Sequence, residues 1–420
     1  MDKFIIEKSI PLKGKIQVGG AKNACLPLMA AALLTDQPLI LENVPGLVDV
    51  KTMARVLENL GVRVTREPDR IELDASEVSG YLAPYDLVRQ MRASYYVLGP
   101  LTTRFGRAEV SLPGGCAIGQ RAIDLHLKGL SMLGAEIAIS KGYIYARSGR
   151  LKGCRIDLGG PFGSSVGATI NIMLAAVLAR GTTVIENAAR EPEVADVAGM
   201  LRVMGAEIEW SDNGIITVRG VDRLKGATYR VIPDRIEAGT LAVAAALTGG
   251  EVLITSCRPD HLQAVIEVLI RAGVKVDTGP DSIRVASELP LRPFSLVTEP
   301  YPGFPTDMQA QFCALATQAH GVSTVTENIF ENRFMHVSEL IRLGARIQVN
   351  GNTATIEGPV NLSSAPVMAS DLRASAALIL AAIVAEGTSE INRIYHLDRG
   401  YDQLEVKLAC LGAKILRVSE

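Results

Sequence analysis

The chain has 420 residues, with 43 Lys and Arg against 45 Asp and Glu and a net charge of −2, which excludes a generic binder of nucleic acid or other polyanions. Apolar side chains make up 48% of it, enough for sizeable cores in two or three domains, so a folded chain is expected. The opening Met-Asp-Lys-Phe-Ile-Ile-Glu does not read as a signal peptide, and no apolar run reaches the ~18 residues of a membrane span, so a cytoplasmic protein without a membrane partner is expected.

A self-similar unit runs through the chain. Its clearest mark is a Leu/Met/Ala-Gly-Ala/Val string whose glycines, Gly61, Gly134, Gly205, Gly273, Gly344 and Gly412, are 73, 71, 68, 71 and 68 residues apart. Between these marks lie apolar, Ala-rich helical stretches. In chain order the first starts at Lys22-Asn23-Ala24, the second at Arg92-Ala93 and the third covers 165–179, followed by a strand at 183–187. The fourth covers 235–247, with a strand at 251–256 and an amphipathic helix at 261–273; the fifth starts at Asp307 before a strand at 323–328. The sixth covers 371–385 and leads to a strand at 388–392. Helices apolar on nearly every face must be buried all round. Six units divide as three plus three, so two α/β lobes are expected: 21–230 holding the first three, and 231–420 joined by residues 1–20 holding the rest.

Polar residues in these helices concentrate in the first turn: Lys22 and Asn23, Arg92, Ser165 with Gly167, Arg235 with Glu237, Asp307 with Gln309, and Asp371 with Arg373. Parallel helices would gather their unsatisfied N–H groups and positive dipole ends into an anion site, suited to a phosphorylated or carboxylated small molecule. Simple capping accounts for Asp307 and Asp371, with the arginines paired to them, but a cation at a helix start, as at Lys22 and Arg92, is unfavourable without an anion. Gly-x-Gly spacing is absent and Gly14-Lys15 is followed by Ile, which excludes a Rossmann fingerprint and a P-loop. The five histidines lack H-x-x-x-H spacing and the six cysteines lack C-x-x-C, so neither a metal nor a cofactor is expected.

Residues 112–126, LPGGCAIGQRAIDLH, break the pattern with a glycine-framed loop around Cys116 and Arg121. A thiol exposed among glycines with a cation nearby suits a reactive cysteine, against the plainer reading of an inert loop thiol. Cys25, Cys313 and Cys410 stand in apolar helical contexts, as small core residues do.

The motifs 20-GAKNA-24, 92-RAS-94, 111-SLPGGCAIGQR-121, 186-ENAAREPEV-194, 233-PDRIEAGT-240, 305-PTDMQAQF-312, 328-NIFENRFMHV-337, 371-DLRAS-375 and 398-DRGY-401 resemble those of the UDP-N-acetylglucosamine 1-carboxyvinyltransferase family over essentially the whole chain. The resemblance implies the two-domain inside-out α/β barrel of enolpyruvyl transferases, three βαβ-type repeats per lobe. It implies phosphoenolpyruvate and UDP-N-acetylglucosamine as substrates: the sugar 3-hydroxyl adds to C2 of the donor, C3 takes a proton, and the adduct loses phosphate, in the first committed step of peptidoglycan synthesis. It further implies Cys116 as the proton donor and the thiol alkylated by fosfomycin, and Asp307 as the base for the sugar hydroxyl. Lys22, Arg121 and Arg399 would hold phosphoenolpyruvate, with Asn23 beside them. Arg92, the stretch Arg121-Ala122-Ile123-Asp124-Leu125, the helix start Gly163-Ser164-Ser165-Val166-Gly167, Asp307 and Ile329 would line the nucleotide sugar, and Asp371 and Arg373 join the substrate site. Two rivals are the shikimate-pathway enolpyruvyl transferase, against which the Cys116 loop counts, and a non-catalytic repeat scaffold, for which buried cations at helix starts would be a liability.

Overall fold

The computed structural model describes residues 2–9, 11–112, 123–160, 163–211 and 214–419, so Cys116, Arg121 and Ala122 lie outside the described residues. The chain folds as two compact units, one formed by Met1–Gly19 with Pro233–Glu420 and the other by the described residues between Gly20 and Ile232. Each has its own hydrophobic core.

The recurring glycines have a physical cause. Each ends an outer helix in the left-handed conformation, with φ between 89° at Gly273 and 104° at Gly412, where a side chain would be strained. At the first, Gly61 N donates to Glu58 O at 3.0 Å and Val62 N to Leu57 O at 3.0 Å, and the same pair of bonds closes the helices at Gly134, Gly205, Gly273, Gly344 and Gly412. The apolar residue after the glycine returns to the core, and the next strand starts at the residue that follows it. Strand segments follow from alternation: in Glu251–Thr255, Val252 and Ile254 are buried while Glu251 and Leu253 face out.

Among the described residues there are six four-stranded sheets, and all share one pairing pattern. A short edge strand runs parallel to the strand that follows an inner helix, and two antiparallel strands complete the sheet. The chain ends are used in the same way. Lys3–Glu7 lies antiparallel between Thr388–Asn392 and Lys414–Val418, Lys13–Gln17 pairs parallel with Glu251–Thr255, and Ala227–Arg230 pairs parallel with Leu39–Glu42. Lys3–Glu7 and Lys13–Gln17 therefore complete sheets of the unit that contains Pro233–Glu420.

Inside each unit sit the Ala-rich helices. Arg235–Leu247 is buried from Ile236 onward, Leu372–Ala382 from Arg373 onward, and both pack with Gln309–Ala316. Their counterparts in the other unit are Lys22–Ala30, Leu98–Phe105 and Val166–Ala176. The second and fifth helices begin differently from the sequence-based expectation. Arg92–Val97 and Thr306–Met308 are 3-10 turns that run into Leu98–Phe105 and Gln309–Ala316. Pro100 accounts for the first: it has no N–H to give to residue 96 and is tolerated only in the opening turn of an α-helix. Among the described residues no helix is long and apolar enough to cross a membrane.

One buried ion pair secures the start of Arg235–Leu247. Glu237 is almost fully enclosed, receives the Gly19 N–H at 2.8 Å and pairs with Lys407 of the outer helix Leu404–Cys410. Burial pushes the Glu237 carboxyl up from its ordinary value against the pull of Lys407. Removing one partner of a buried pair leaves an uncompensated charge, so Lys407→Ala should cost up to about 3 kcal/mol of stability. A raised carboxyl favours the fold most at low pH, and that contribution fades as pH rises through the folded value. Thermal melts should therefore show the Lys407→Ala deficit largest at neutral pH and reduced in mild acid, where Glu237 takes up a proton; a pH-independent deficit would contradict this.

Candidate functional site

In the unit containing Pro233–Glu420, helix starts converge on Asp307. The Arg333 Nη2 and Arg373 Nη2 groups reach Asp307 Oδ1 and Oδ2 at 2.6 and 2.8 Å, so each carboxylate oxygen holds a guanidinium. Both arginine side chains are 5% exposed, whereas Asp307 keeps 25% of its side chain accessible. Burial would raise the Asp307 carboxyl, but Arg373 and Arg333 outweigh it and hold the group well below the carboxylate range. Asp307 is thus a charged acceptor at neutral pH, restrained by two cations.

The Arg373 guanidinium lies 5.3 Å from the centre of the Tyr401 ring, and its Nε and Nη1 are buried without a hydrogen-bond partner among the described residues. Thr240 Oγ1 donates to Ile236 O at 2.8 Å, which leaves its oxygen to accept from Tyr401 Oη at 2.9 Å; Gln311 Nε2 in turn donates to Tyr401 Oη at 3.1 Å and Asp307 O at 3.0 Å. First- and second-turn residues of three helices therefore meet at one end, so the helices run in the same direction. Asp371 caps Leu372–Ala382, accepting from Arg373 N at 2.8 Å and Ala374 N at 3.0 Å. Pairing of Arg373 with Asp371 is corrected: the Arg373 backbone binds the cap, but its guanidinium spans to Asp307. Arg399 ends the 3-10 turn Ile394–Arg399, which packs on Leu372–Ala382. The preceding Asp398 is clamped by Arg417 from the last strand, Nη1 to Oδ2 at 3.0 Å and Nη2 to Oδ1 at 2.6 Å. Ile329 stands in the loop after Gly321–Thr326, its N–H on Glu327 Oε1 at 2.7 Å.

In the other unit, Lys22 opens its helix and its Nζ lies 3.2 Å from Asp49 Oδ2, with both side chains buried. The expectation of uncompensated positive charge is corrected here: Asp49, on the outer helix Val48–Asn59, supplies an anion that local sequence did not reveal. Asn23 is exposed and Arg92 half-buried at the start of its turn. Ile123 leads into Asp124–Met132, which begins with exposed Asp124 and half-buried Leu125. Gly163–Ser164 pairs with Gly159–Gly160 in a short hairpin, and a Cβ on Gly160 would come 3.4 Å from Leu125 Cδ1, so the two segments are neighbours. Ser165 caps Val166–Ala176, accepting from Ala168 N at 3.2 Å.

Behind that cap lies a buried polar network that sequence reasoning missed. Asn171 Oδ1 accepts from Gly99 N at 2.8 Å and its Nδ2 donates to Tyr95 O at 3.1 Å. The same Nδ2 is 3.1 Å from His126 Nδ1, so that nitrogen accepts and the imidazole proton lies on Nε2. Burial pushes the His126 ring down to about 3, so it is neutral. Gly167 is small by necessity, since a Cβ there would sit 2.9 Å from Tyr95 Oη and 3.2 Å from His126 Nε2.

Comparison with known proteins gives the class first. The enolpyruvyl transferase NikO from Streptomyces tendae matches with a TM-score of 0.89 at 27% identity, covering 100% of this chain and 99% of that one. The EPSP synthase of Acinetobacter baumannii matches the fold at 0.77 and 18% identity over the whole of both chains. The fold is that of the enolpyruvyl transferases. The model of the EPSP synthase (3-phosphoshikimate 1-carboxyvinyltransferase) family matches residues 6–408. UDP-N-acetylglucosamine 1-carboxyvinyltransferases are more alike: that of Koribacter versatilis is 53% identical over 100% of this chain and 97% of its own, and that of Trichlorobacter lovleyi 53% over the whole of both. The chain belongs to the UDP-N-acetylglucosamine 1-carboxyvinyltransferases, within that wider family.

Proposed function

We infer that the protein transfers the enolpyruvyl group of phosphoenolpyruvate to the 3-hydroxyl of UDP-N-acetylglucosamine. The full-length likeness to relatives named for this transfer, at 52–53% identity, carries the reading. In the addition step the sugar oxygen bonds to C2 and a proton goes to C3. In the elimination step C3 gives up a proton and the C2–O bond to phosphate breaks, so the products are the enolpyruvyl ether and inorganic phosphate. No electron transfer is involved, and the chemistry asks for acids, bases and cations alone. The setting proposed is the bacterial cytoplasm, at the entry to peptidoglycan synthesis.

The roles are those the family resemblance implies, and the chemistry suits them. Asp307 is the base for the sugar hydroxyl, charged at neutral pH and partly accessible. Cys116 is the acid for C3. Lys22, Arg121 and Arg399, with Asn23, take the phosphate and carboxylate of the donor. Arg373, whose Nε and Nη1 have no hydrogen-bond partner among the described residues, joins them as a donor to an anion. Arg92, the run from Arg121 to Leu125, and the helix start from Gly163 to Gly167 take the nucleotide sugar, with the diphosphate on the N–H groups of Ser165 to Gly167. Ile329 lies along the same substrate.

Incubation with both substrates should release one phosphate for each enolpyruvyl ether seen by mass spectrometry; phosphate without the ether would overturn the reading. Arg399→Ala should weaken phosphoenolpyruvate far more than the sugar nucleotide, because it removes a cation from a donor that bears both a phosphate and a carboxylate. Titration of each substrate checks the ranking, and the reverse order would remove Arg399 from the donor site. A shikimate 3-phosphate acceptor is the second reading, favoured by the description of the family model.

A further inference from the structure

We propose that Glu327 is a positioning residue for the acceptor half of the reaction, holding the Asp307 base and the Ile329 loop in one register. The inference rests on the reading of Asp307 and Ile329 as the acceptor side. Glu327 is 2% exposed and follows the strand Gly321–Thr326. Its Oε1 accepts from Thr298 Oγ1 at 2.9 Å, Ile329 N at 2.7 Å and Phe330 N at 3.0 Å, and its Oε2 accepts from Thr306 Oγ1 at 2.7 Å. A buried carboxylate that binds four neutral donors from three separate segments shapes the chain around it, because each donor would lose a charge-assisted bond if the segment moved.

The chain of contacts continues to the reacting group. Thr306 Oγ1, having given its proton to Glu327, accepts from Arg333 Nη1 at 2.9 Å, and Arg333 Nη2 binds Asp307 Oδ1 at 2.6 Å. Arg333 also lies 5.2 Å from the centre of the Phe330 ring, whose own N–H is on Glu327. The path Glu327, Thr306, Arg333, Asp307 thus has a fixed donor order, and the same carboxylate sets the backbone at Ile329. Glutamine at this position disturbs the order without changing shape. Its carbonyl can serve the three donors on the Oε1 side, but its NH2 then points at Thr306 Oγ1, which already receives Arg333 Nη1 and must send its own proton elsewhere.

The test is steady-state kinetics of the full chain with each substrate varied in turn. Glu327→Gln and Thr306→Val should each raise the KM for UDP-N-acetylglucosamine and lower kcat about tenfold, the size expected for one hydrogen bond to a charged group, with the phosphoenolpyruvate KM unchanged. Thr306→Ser, which keeps the hydroxyl, should restore both parameters. A loss of fold alone would not split the two KM values. Equal changes in both, or none, in variants that melt like the parent would overturn the proposal, and the Thr306 pair decides it if Glu327→Gln does not fold. Asp307→Asn serves as reference: if it turns over normally the reading of Asp307 has failed, whereas a dead Asp307→Asn beside normal Thr306→Val sinks the Glu327 link alone.

Discussion

Replacing Asp307 by alanine or asparagine is expected to lower the transferase rate by about 10²–10⁴-fold, the usual contribution of a positioned base, while UDP-N-acetylglucosamine still binds. The two substitutions differ in a useful way. Alanine leaves Arg333 and Arg373 buried without the carboxylate that pairs with both, so part of its effect is instability; asparagine keeps the size and one accepting oxygen but cannot take the proton. Rapid-quench measurement of phosphate release, with equilibrium titration of the sugar nucleotide, separates the two effects. Near-normal release by Asp307→Asn would remove the residue from the mechanism.

The same geometry fixes a pH dependence. Burial favours the neutral acid, but Arg373 and Arg333 keep the folded Asp307 well below its ordinary 3.8. A depressed carboxyl contributes stability above the unfolded value and loses it as pH falls through the folded value, so its loss belongs to strongly acid solution. Its basicity is low for the same reason. Substrate binding that draws a guanidinium away would raise it, and the buried Nε and Nη1 of Arg373 are suited to an incoming anion.

The second large effect concerns Cys116. Cys116→Asp should retain turnover, since a carboxylic acid can also protonate carbon, yet resist fosfomycin, because an epoxide alkylates a thiolate far faster than a carboxylate. The check is time-dependent inactivation by fosfomycin with phosphoenolpyruvate turnover measured in parallel. Equal sensitivity of Cys116→Asp and the parent would refute the thiol as the alkylated group.

What could be read from the sequence was local. The glycines at 61, 134, 205, 273, 344 and 412 were visible because one backbone requirement, a left-handed residue closing an outer helix, left one residue type at each place. The inner helices were visible because burial on all sides removes polar residues from all but the first turn. Asp371 as a cap followed from its position alone. Partnerships between distant segments were hidden. Asp49 lies 27 residues from Lys22 on a helix whose pattern is ordinary amphipathicity. Arg333 sits in a loop without periodicity, within a motif that gave it no role, and Lys407 reads as a surface cation though it neutralises Glu237. The charge balance of the helix starts is therefore set by acids and bases that are near in space and distant in sequence. His126 and Asn171 were likewise hidden, since a lone histidine and a lone asparagine carry no spacing to mark them.

The most direct test of the account is the choice of acceptor. Phosphate release from phosphoenolpyruvate should proceed with UDP-N-acetylglucosamine and stay at background with shikimate 3-phosphate; release with shikimate 3-phosphate and none with the sugar nucleotide would contradict it.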